Sequence, residues 1–209
     1  MRTAGEPLRL AVLASGRGSN LEAILEACRR EEIPARVVVV MSDRAGAPAL
    51  ERATRAGVDA VFLNPKDHAD RVAYDVALLA ALERYRPGLV CLAGFMRVLT
   101  AAFVRAWAGR LVNIHPSLLP AFPGLHAQRQ ALDHGVKLAG ATVHFVDEGV
   151  DTGPIIVQAS VPVRSDDTEA SLSARILAEE HRLYPEAIRL FAEGRLVVIG
   201  RRVITKESA

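Results

Sequence analysis

Asn113 and His115 stand two residues apart at the end of a short apolar stretch, and an aspartate, Asp151, returns later in Asp151-Thr-Gly-Pro154. An amide donor, an imidazole and a carboxylate are the parts needed to stabilise an oxyanion and to move a proton. The stretch Leu111–Ile114 reads as a buried strand that delivers Asn113 and His115 to its C-terminal end, where Pro116 and Pro120 forbid continuation as strand or helix. In open α/β sheets ligands sit beyond the carboxyl ends of the strands. Taken alone, Asn-x-His is more simply a hydrogen-bonded turn whose polar groups serve the backbone.

A second candidate follows the first apolar run. Leu8–Ala14 ends in Ser15-Gly-Arg-Gly-Ser-Asn20, and a helical pattern with Leu21, Ile24, Leu25 and Cys28 on one face comes next. Gly18, Ser19 and Asn20 would present backbone N–H groups to an anion at the positive end of that helix. Leu21 occupies the third glycine position of the dinucleotide fingerprint, and no Gly-Lys-Ser/Thr follows, so a monophosphate suits the loop better than a pyrophosphate. Asp43, just past the second strand, could imitate a ribose-binding acid. That keeps an NAD-dependent dehydrogenase open, and a non-catalytic nucleotide-binding module as well. A tight turn capped by Ser or Asn is the plain structural alternative.

These residues need a scaffold, and the hydrophobic pattern supplies one. Strands are expected at Leu8–Ala14, Ala35–Met41, Asp59–Leu63, Leu89–Leu92 and Leu111–Ile114. Between them helices are expected at Ala47–Ala56, Asp67–Tyr85 and around Ala101–Ala106. The alternation predicts a doubly wound, mostly parallel α/β sheet with helices on both faces. After Gly124 the pattern changes. Gln128–His134 reads as helix, Ala139–Phe145 and Ile155–Val163 as strands, and Thr168–Glu193 as a long helix. A final strand pair, Leu196–Ile199 and Arg202–Ile204, turns near Gly200. The expectation is one domain over residues 1–209.

Composition narrows the classes. A net charge of +2 with no basic block argues against nucleic acid and membrane surfaces as partners. No signal core or membrane-length apolar run is present, so a cytoplasmic protein is expected. Cys28 and Cys91 form no CxxC pair and read as reduced thiols. The scattered His68, His126, His134, His144 and His181 lack metal-ligand spacing and read as surface or structural residues, so no metal is expected. Ser117 lacks the Gly-x-Ser-x-Gly elbow of a serine nucleophile.

Read together and in order, five segments closely resemble the folate-dependent phosphoribosylglycinamide formyltransferases of purine biosynthesis. They are Ser15–Asn20, Leu92-Ala-Gly-Phe-Met-Arg-Val-Leu99, Asn113-Ile-His-Pro-Ser-Leu-Leu-Pro120, Phe122-Pro-Gly-Leu-His126 and Asp151-Thr-Gly-Pro-Ile-Ile-Val-Gln158, with Glu180-His181 and Tyr184-Pro185 in support. The resemblance implies a phosphoribosyl-substrate half, about residues 8–110, and a folate and catalytic half, about 111–209. It implies that Gly18, Ser19 and Asn20 bind the substrate phosphate and that Glu180 approaches the glycinamide moiety. Arg71 would lie on the folate side, and Met96, Arg97, Val98 and Leu99 would line the folate pocket, although by itself that segment reads as core packing. Asn113 would contact the formyl group, His115 would be the catalytic acid and Asp151 its partner. The implied substrates are glycinamide ribonucleotide and 10-formyltetrahydrofolate, the formyl donor, handled by a monomer or a homodimer. A formyltetrahydrofolate hydrolase, or a formyltransferase acting on another amine such as that of methionyl-tRNA, would use the same chemistry with added domains. The physical argument stands beside the resemblance: formyl transfer to an amine builds an oxyanion that Asn113 and a cationic His115 can both donate to, and a nearby carboxylate favours the charged imidazole.

Overall fold

The computed structural model describes residues 6–207 and holds a single nine-stranded sheet. The strands are β1 (Leu8–Leu13), β2 (Ala35–Ser42), β3 (Asp59–Phe62), β4 (Leu89–Leu92), β5 (Leu111–His115), β6 (Leu138–Phe145), β7 (Ile155–Pro162), β8 (Leu196–Ile199) and β9 (Arg202–Thr205). The helices are α1 (Ser19–Arg29), α2 (Pro48–Arg55), α3 (Arg71–Glu83), α4 (Ala101–Ala106), α5 (Ala127–His134) and α6 (Glu169–Ala192). The spatial order is β3-β2-β1-β4-β5-β6-β7-β9-β8. The first five strands run parallel, as the doubly wound reading requires, and β6 then pairs antiparallel with both β5 and β7.

Strand order reverses between β1 and β4, because the chain winds outward to β3 and then crosses over to the other side of β1. The loops that follow β1 and β4 therefore diverge and leave a crevice at the carboxyl ends of the strands. Both candidate loops, Ser15–Asn20 and Ala93–Leu99, lie there.

The central strands are apolar throughout because both faces are covered. On β1, Leu8, Leu10 and Val12 pack with α1, α2, α5 and α6, while Ala11 and Leu13 pack with α3 and α4. On β5 the alternation has a functional consequence. Val112 and Ile114 enter the α6-side core, so Asn113 and His115 fall on the opposite face. The fully buried Tyr184 of α6 locks this region, its hydroxyl donating to the carbonyls of Leu92 on β4 (2.9 Å) and Val112 on β5 (3.2 Å).

One expected helix is shorter than its pattern. Residues 65–67 form a separate 3-10 turn, and α3 begins only at Arg71, because the Asp70 carboxylate accepts the Ala73 N–H (2.8 Å) and caps it there. A capping box of Thr168 and Ser171 starts α6 where the sequence places it. Burial pushes both thiols up, Cys28 to about 11, which disfavours the nucleophilic thiolate. No helix among the described residues is long and apolar enough to cross a membrane. No group of three or more His, Cys, Asp or Glu side chains among them is placed to hold a metal ion.

Replacing Tyr184 with Phe should lower unfolding free energy by about 1–3 kcal/mol, because the buried hydrogen bond that its single hydroxyl proton shares between the two carbonyls is lost. Urea denaturation of the two proteins measures it, and an unchanged midpoint would contradict the locking role.

Candidate active site

The β5–β6 pairing builds the polar centre. Asn113 stands opposite His144, and His115 opposite Thr142, so alternation along two antiparallel strands gathers four polar side chains on one face. Asp151 enters from the loop between β6 and β7, with φ at +53°, a left-handed conformation that costs a non-glycine residue free energy. Gly153 makes that loop possible: a Cβ there would lie 1.8 Å from the Phe145 carbonyl oxygen. The three sequence-predicted residues Asn113, His115 and Asp151 thus come together.

Asp151 divides its two oxygens between two imidazoles. Oδ2 lies 3.3 Å from His115 Nδ1 and accepts the Gly124 N–H (2.8 Å). Oδ1 lies 3.6 Å from His144 Nε2 and 3.4 Å from the Asn113 amide nitrogen, which donates to it. Burial pushes the Asp151 carboxyl up. The His144 hydrogen bond, the Gly124 N–H and the charges of the two histidines together outweigh that effect and hold the group below the ordinary carboxylate range.

His115 is almost fully enclosed, and both its nitrogens face oxygen acceptors. Nδ1 faces Asp151, and Nε2 lies 2.9 Å from the Phe122 carbonyl. Both nitrogens of the ring thus have an oxygen within reach to which an N–H can donate. The loop beyond His115 is held by the buried Thr142, whose hydroxyl donates to Ser117 O (2.7 Å) and accepts from Leu119 N–H (3.1 Å) and Gln158 Nε2 (2.9 Å). Ser117 is therefore a loop anchor, donating its own hydroxyl to Ala121 O.

His144 is the residue the sequence reading missed. It was placed among surface or structural histidines, yet it is only 2% exposed and touches both Asp151 and Asn113. Its Nδ1 lies 2.8 Å from the Phe145 carbonyl, and its Nε2 lies 3.3 Å from the Asn113 amide nitrogen and 3.6 Å from Asp151 Oδ1. The available signal was the alternation of Ala139, Ala141, Val143 and Phe145, which leaves Thr142 and His144 on a polar face. Register against β5 was the missing fact.

The glycine loop lies across the crevice. Gly18 adopts φ +74°, and a Cβ there would be 2.9 Å from Ala49, so only glycine fits. No side chain caps α1, which leaves first-turn N–H groups available to an anion beside Ser19. The Asn20 side chain has a partner of its own. Its amide donates to Glu180 of α6 at 2.7 Å, so the side chain orients that buried carboxylate. Burial pushes Glu180 up, and the Asn20 hydrogen bond opposes the shift.

The segment after β4 is not core. Met96 and Val98 are each 62% exposed, and the Arg97 guanidinium stacks 4.4 Å over the buried Tyr74 ring. Ser15 Oγ accepts the Met96 N–H (2.8 Å), and Asp75 accepts the Thr100 N–H (2.6 Å), so both ends of the segment are pinned; Phe95 and Leu99 pack against the α3 side of the core, and Met96 and Val98 stay exposed. Arg71 is exposed at the start of α3 and makes no ion pair among the described residues.

Comparison with known proteins gives a consistent picture. Residues 8–188 match the family model described as formyl transferase. The chain is 54% identical, over 91% of its length, to the trifunctional purine biosynthetic protein adenosine-3 of Drosophila melanogaster, of which it spans only 14%. It is 49% identical to the phosphoribosylglycinamide formyltransferase of Escherichia coli (strain K12), covering 90% of this chain and 89% of that protein. The crystal structure of glycinamide ribonucleotide transformylase 1 from Symbiobacterium toebii superposes with a TM-score of 0.96 at 60% identity, covering 99% of this chain and 98% of that one.

The lowered pKa of Asp151 has a stability consequence with a definite sign. Its contribution is complete above the ordinary carboxylate range and is lost as pH falls through the lower native value. Urea unfolding of wild type and Asp151→Asn from neutral to acidic pH should show the wild type losing stability relative to the variant as pH drops. A gap that moves the other way contradicts the assignment.

Proposed function

The chain belongs to the formyl transferase family, and we propose that it transfers the formyl group of 10-formyltetrahydrofolate to the amine of glycinamide ribonucleotide, a step of purine biosynthesis. The observation that carries this reading is the imidazole of His115 held between Asp151 and Phe122 O, with the Asn113 amide alongside. Those are two donors and a charge partner at one point of the crevice.

The reaction requires an amine to attack the formyl carbon, negative charge to gather on the formyl oxygen, and the bond to the folate nitrogen to break as that nitrogen gains a proton. Asn113 donates one N–H toward the oxygen. His115 offers Nε2–H, whose present partner is only a loop carbonyl, while Asp151 keeps Nδ1–H and the ring orientation. Preorganised donors of this kind contribute about 3–4 kcal/mol each to the barrier reduction. His115 passes its proton to the departing folate nitrogen and recovers one from the attacking amine, so the protons balance. His144 keeps the Asn113 amide turned toward the centre and shares the Asp151 charge.

The two substrates divide the crevice. The N-terminal half, about residues 8–110, takes the phosphoribosyl group, with its phosphate on Gly18, Ser19 and the open end of α1. Glu180, set by Asn20, receives the glycinamide amine. Met96 and Val98 supply an apolar wall for the folate ring system, Arg97 and Leu99 complete that segment, and Arg71 offers a cation to a carboxylate of the folate. The reaction belongs to the cytoplasm, carried out by a monomer or a homodimer.

Tetrahydrofolate release, followed in the presence of both substrates, tests the reading. Release should depend on glycinamide ribonucleotide, and equal release without any amine would make the protein a hydrolase and overturn the proposal. Asp151→Asn and His115→Ala should each lower turnover by about 10²-fold or more, with substrate affinities little changed. The double variant should be scarcely worse than either, because the two groups act as a unit. The wild-type rate should rise with pH as the attacking amine deprotonates. Fully additive losses would sink the scheme.

The phosphate assignment has its own test. Ser19→Ala should weaken phosphoribosyl-substrate binding while folate affinity stays near wild type, since a hydrogen bond to a charged group is worth about 1.5–3 kcal/mol. Equal losses for both ligands in calorimetric titration would show that the loop serves something else.

A further inference from the structure

At the opposite end of the sheet from the crevice, beside the N-terminal ends of β1, β4 and β5, lies a cavity of about 1120 Å³. Four arginines, Arg9, Arg84, Arg86 and Arg110, line it against one carboxylate, Glu6, with Phe191 among its apolar walls. None of the four makes an ion pair among the described residues, whereas Arg29, Arg52, Arg129, Arg175 and Arg182 all do.

Part of this arrangement has a structural cause. Carbonyls left open at helix C-termini attract cations. Arg9 donates through Nε (3.0 Å) and Nη2 (2.6 Å) to Tyr85 O, just past α3. Arg110 donates to Ala106 O at the end of α4 (3.3 Å) and stacks 4.7 Å over the Trp107 ring. These contacts anchor two guanidiniums without neutralising them, and each retains further N–H groups. Arg84 and Arg86 are exposed on the turn that ends α3 and have no anchor of that kind. Helix termini account for Arg9 and Arg110 but not for Arg84 and Arg86, which line the same cavity with a single carboxylate, Glu6, beside them. Guanidiniums without a carboxylate partner are the donors that recognise phosphate oxygens, often in bidentate fashion.

We propose that this cavity is a second anion site, separate from the catalytic crevice, that binds a small ligand carrying a polyphosphate chain. The inference does not depend on the catalytic reading, since it uses none of the same residues.

Titration calorimetry of the full chain with sodium tripolyphosphate and with ATP tests it. Both should bind, both should weaken as salt is raised, and both should still bind when glycinamide ribonucleotide is saturating. Arg84→Gln with Arg86→Gln should weaken both by about tenfold or more, while turnover on the catalytic substrates stays at the wild-type level. Circular dichroism establishes that the variant is folded, and either single substitution should already give a partial loss. The absence of binding, equal affinity in the double variant, or displacement by glycinamide ribonucleotide would each overturn the proposal.

Discussion

One carboxylate answering to two imidazoles, an amide and a backbone N–H is the constraint on which the centre of this structure rests. A charge taken out of water is costly unless its oxygens are fully satisfied. Asp151 meets that demand with His115, His144, Asn113 and Gly124 N–H. Each partner is then fixed by Asp151 in turn. His115 acquires a ring orientation, Asn113 an amide orientation, and the loop through Gly124 an anchor. The left-handed backbone of Phe122, His126 and Asp151 itself shows that the surrounding chain bends to serve this contact.

The rest of the crevice is joined by a few long-range hydrogen bonds. Ser15 ties the loop after β1 to the segment after β4 through Met96, and the Ser15 N–H donates to Gly94 O (3.0 Å). Asn20 ties α1 to α6 through Glu180. Tyr184, one turn beyond Glu180 on α6, ties that helix to β4 and β5. A displacement of α6 would therefore be felt at the glycine loop after β1 and at the strand that carries Asn113 and His115.

Much of this was legible in the sequence. Parallel strands buried on both faces write themselves as unbroken apolar runs, which is why β1 and β2 could be read, and Gly18 is marked by a conformation and a packing distance that exclude a side chain. Asn113, His115 and Asp151 were recoverable because prolines and a glycine turn end their elements. The hidden parts are those set by pairing across space. His144 looked like any strand histidine until β6 was placed antiparallel to β5 with residue 144 opposite 113. The side-chain partner of Asn20 could not be read until α6 brought Glu180 within hydrogen-bonding distance. The capping of α3 by Asp70 shortened a helix whose apolar stripe gave no sign of its start.

The two ends of the sheet make a final point about charge. In a parallel α/β layer the helix N-termini gather at the carboxyl ends of the strands and the helix C-termini at the other end. The first end favours anions directly, and here the uncapped start of α1 supplies N–H groups without needing a side-chain cation. The second end disfavours anions until cations are added, and this chain adds them in the form of Arg9, Arg84, Arg86 and Arg110. The cavity they line is attractive to an anion only because side chains reverse the backbone's own field. The crevice at the opposite end needs no such reversal, because the backbone N–H groups at the start of α1 already favour an anion there.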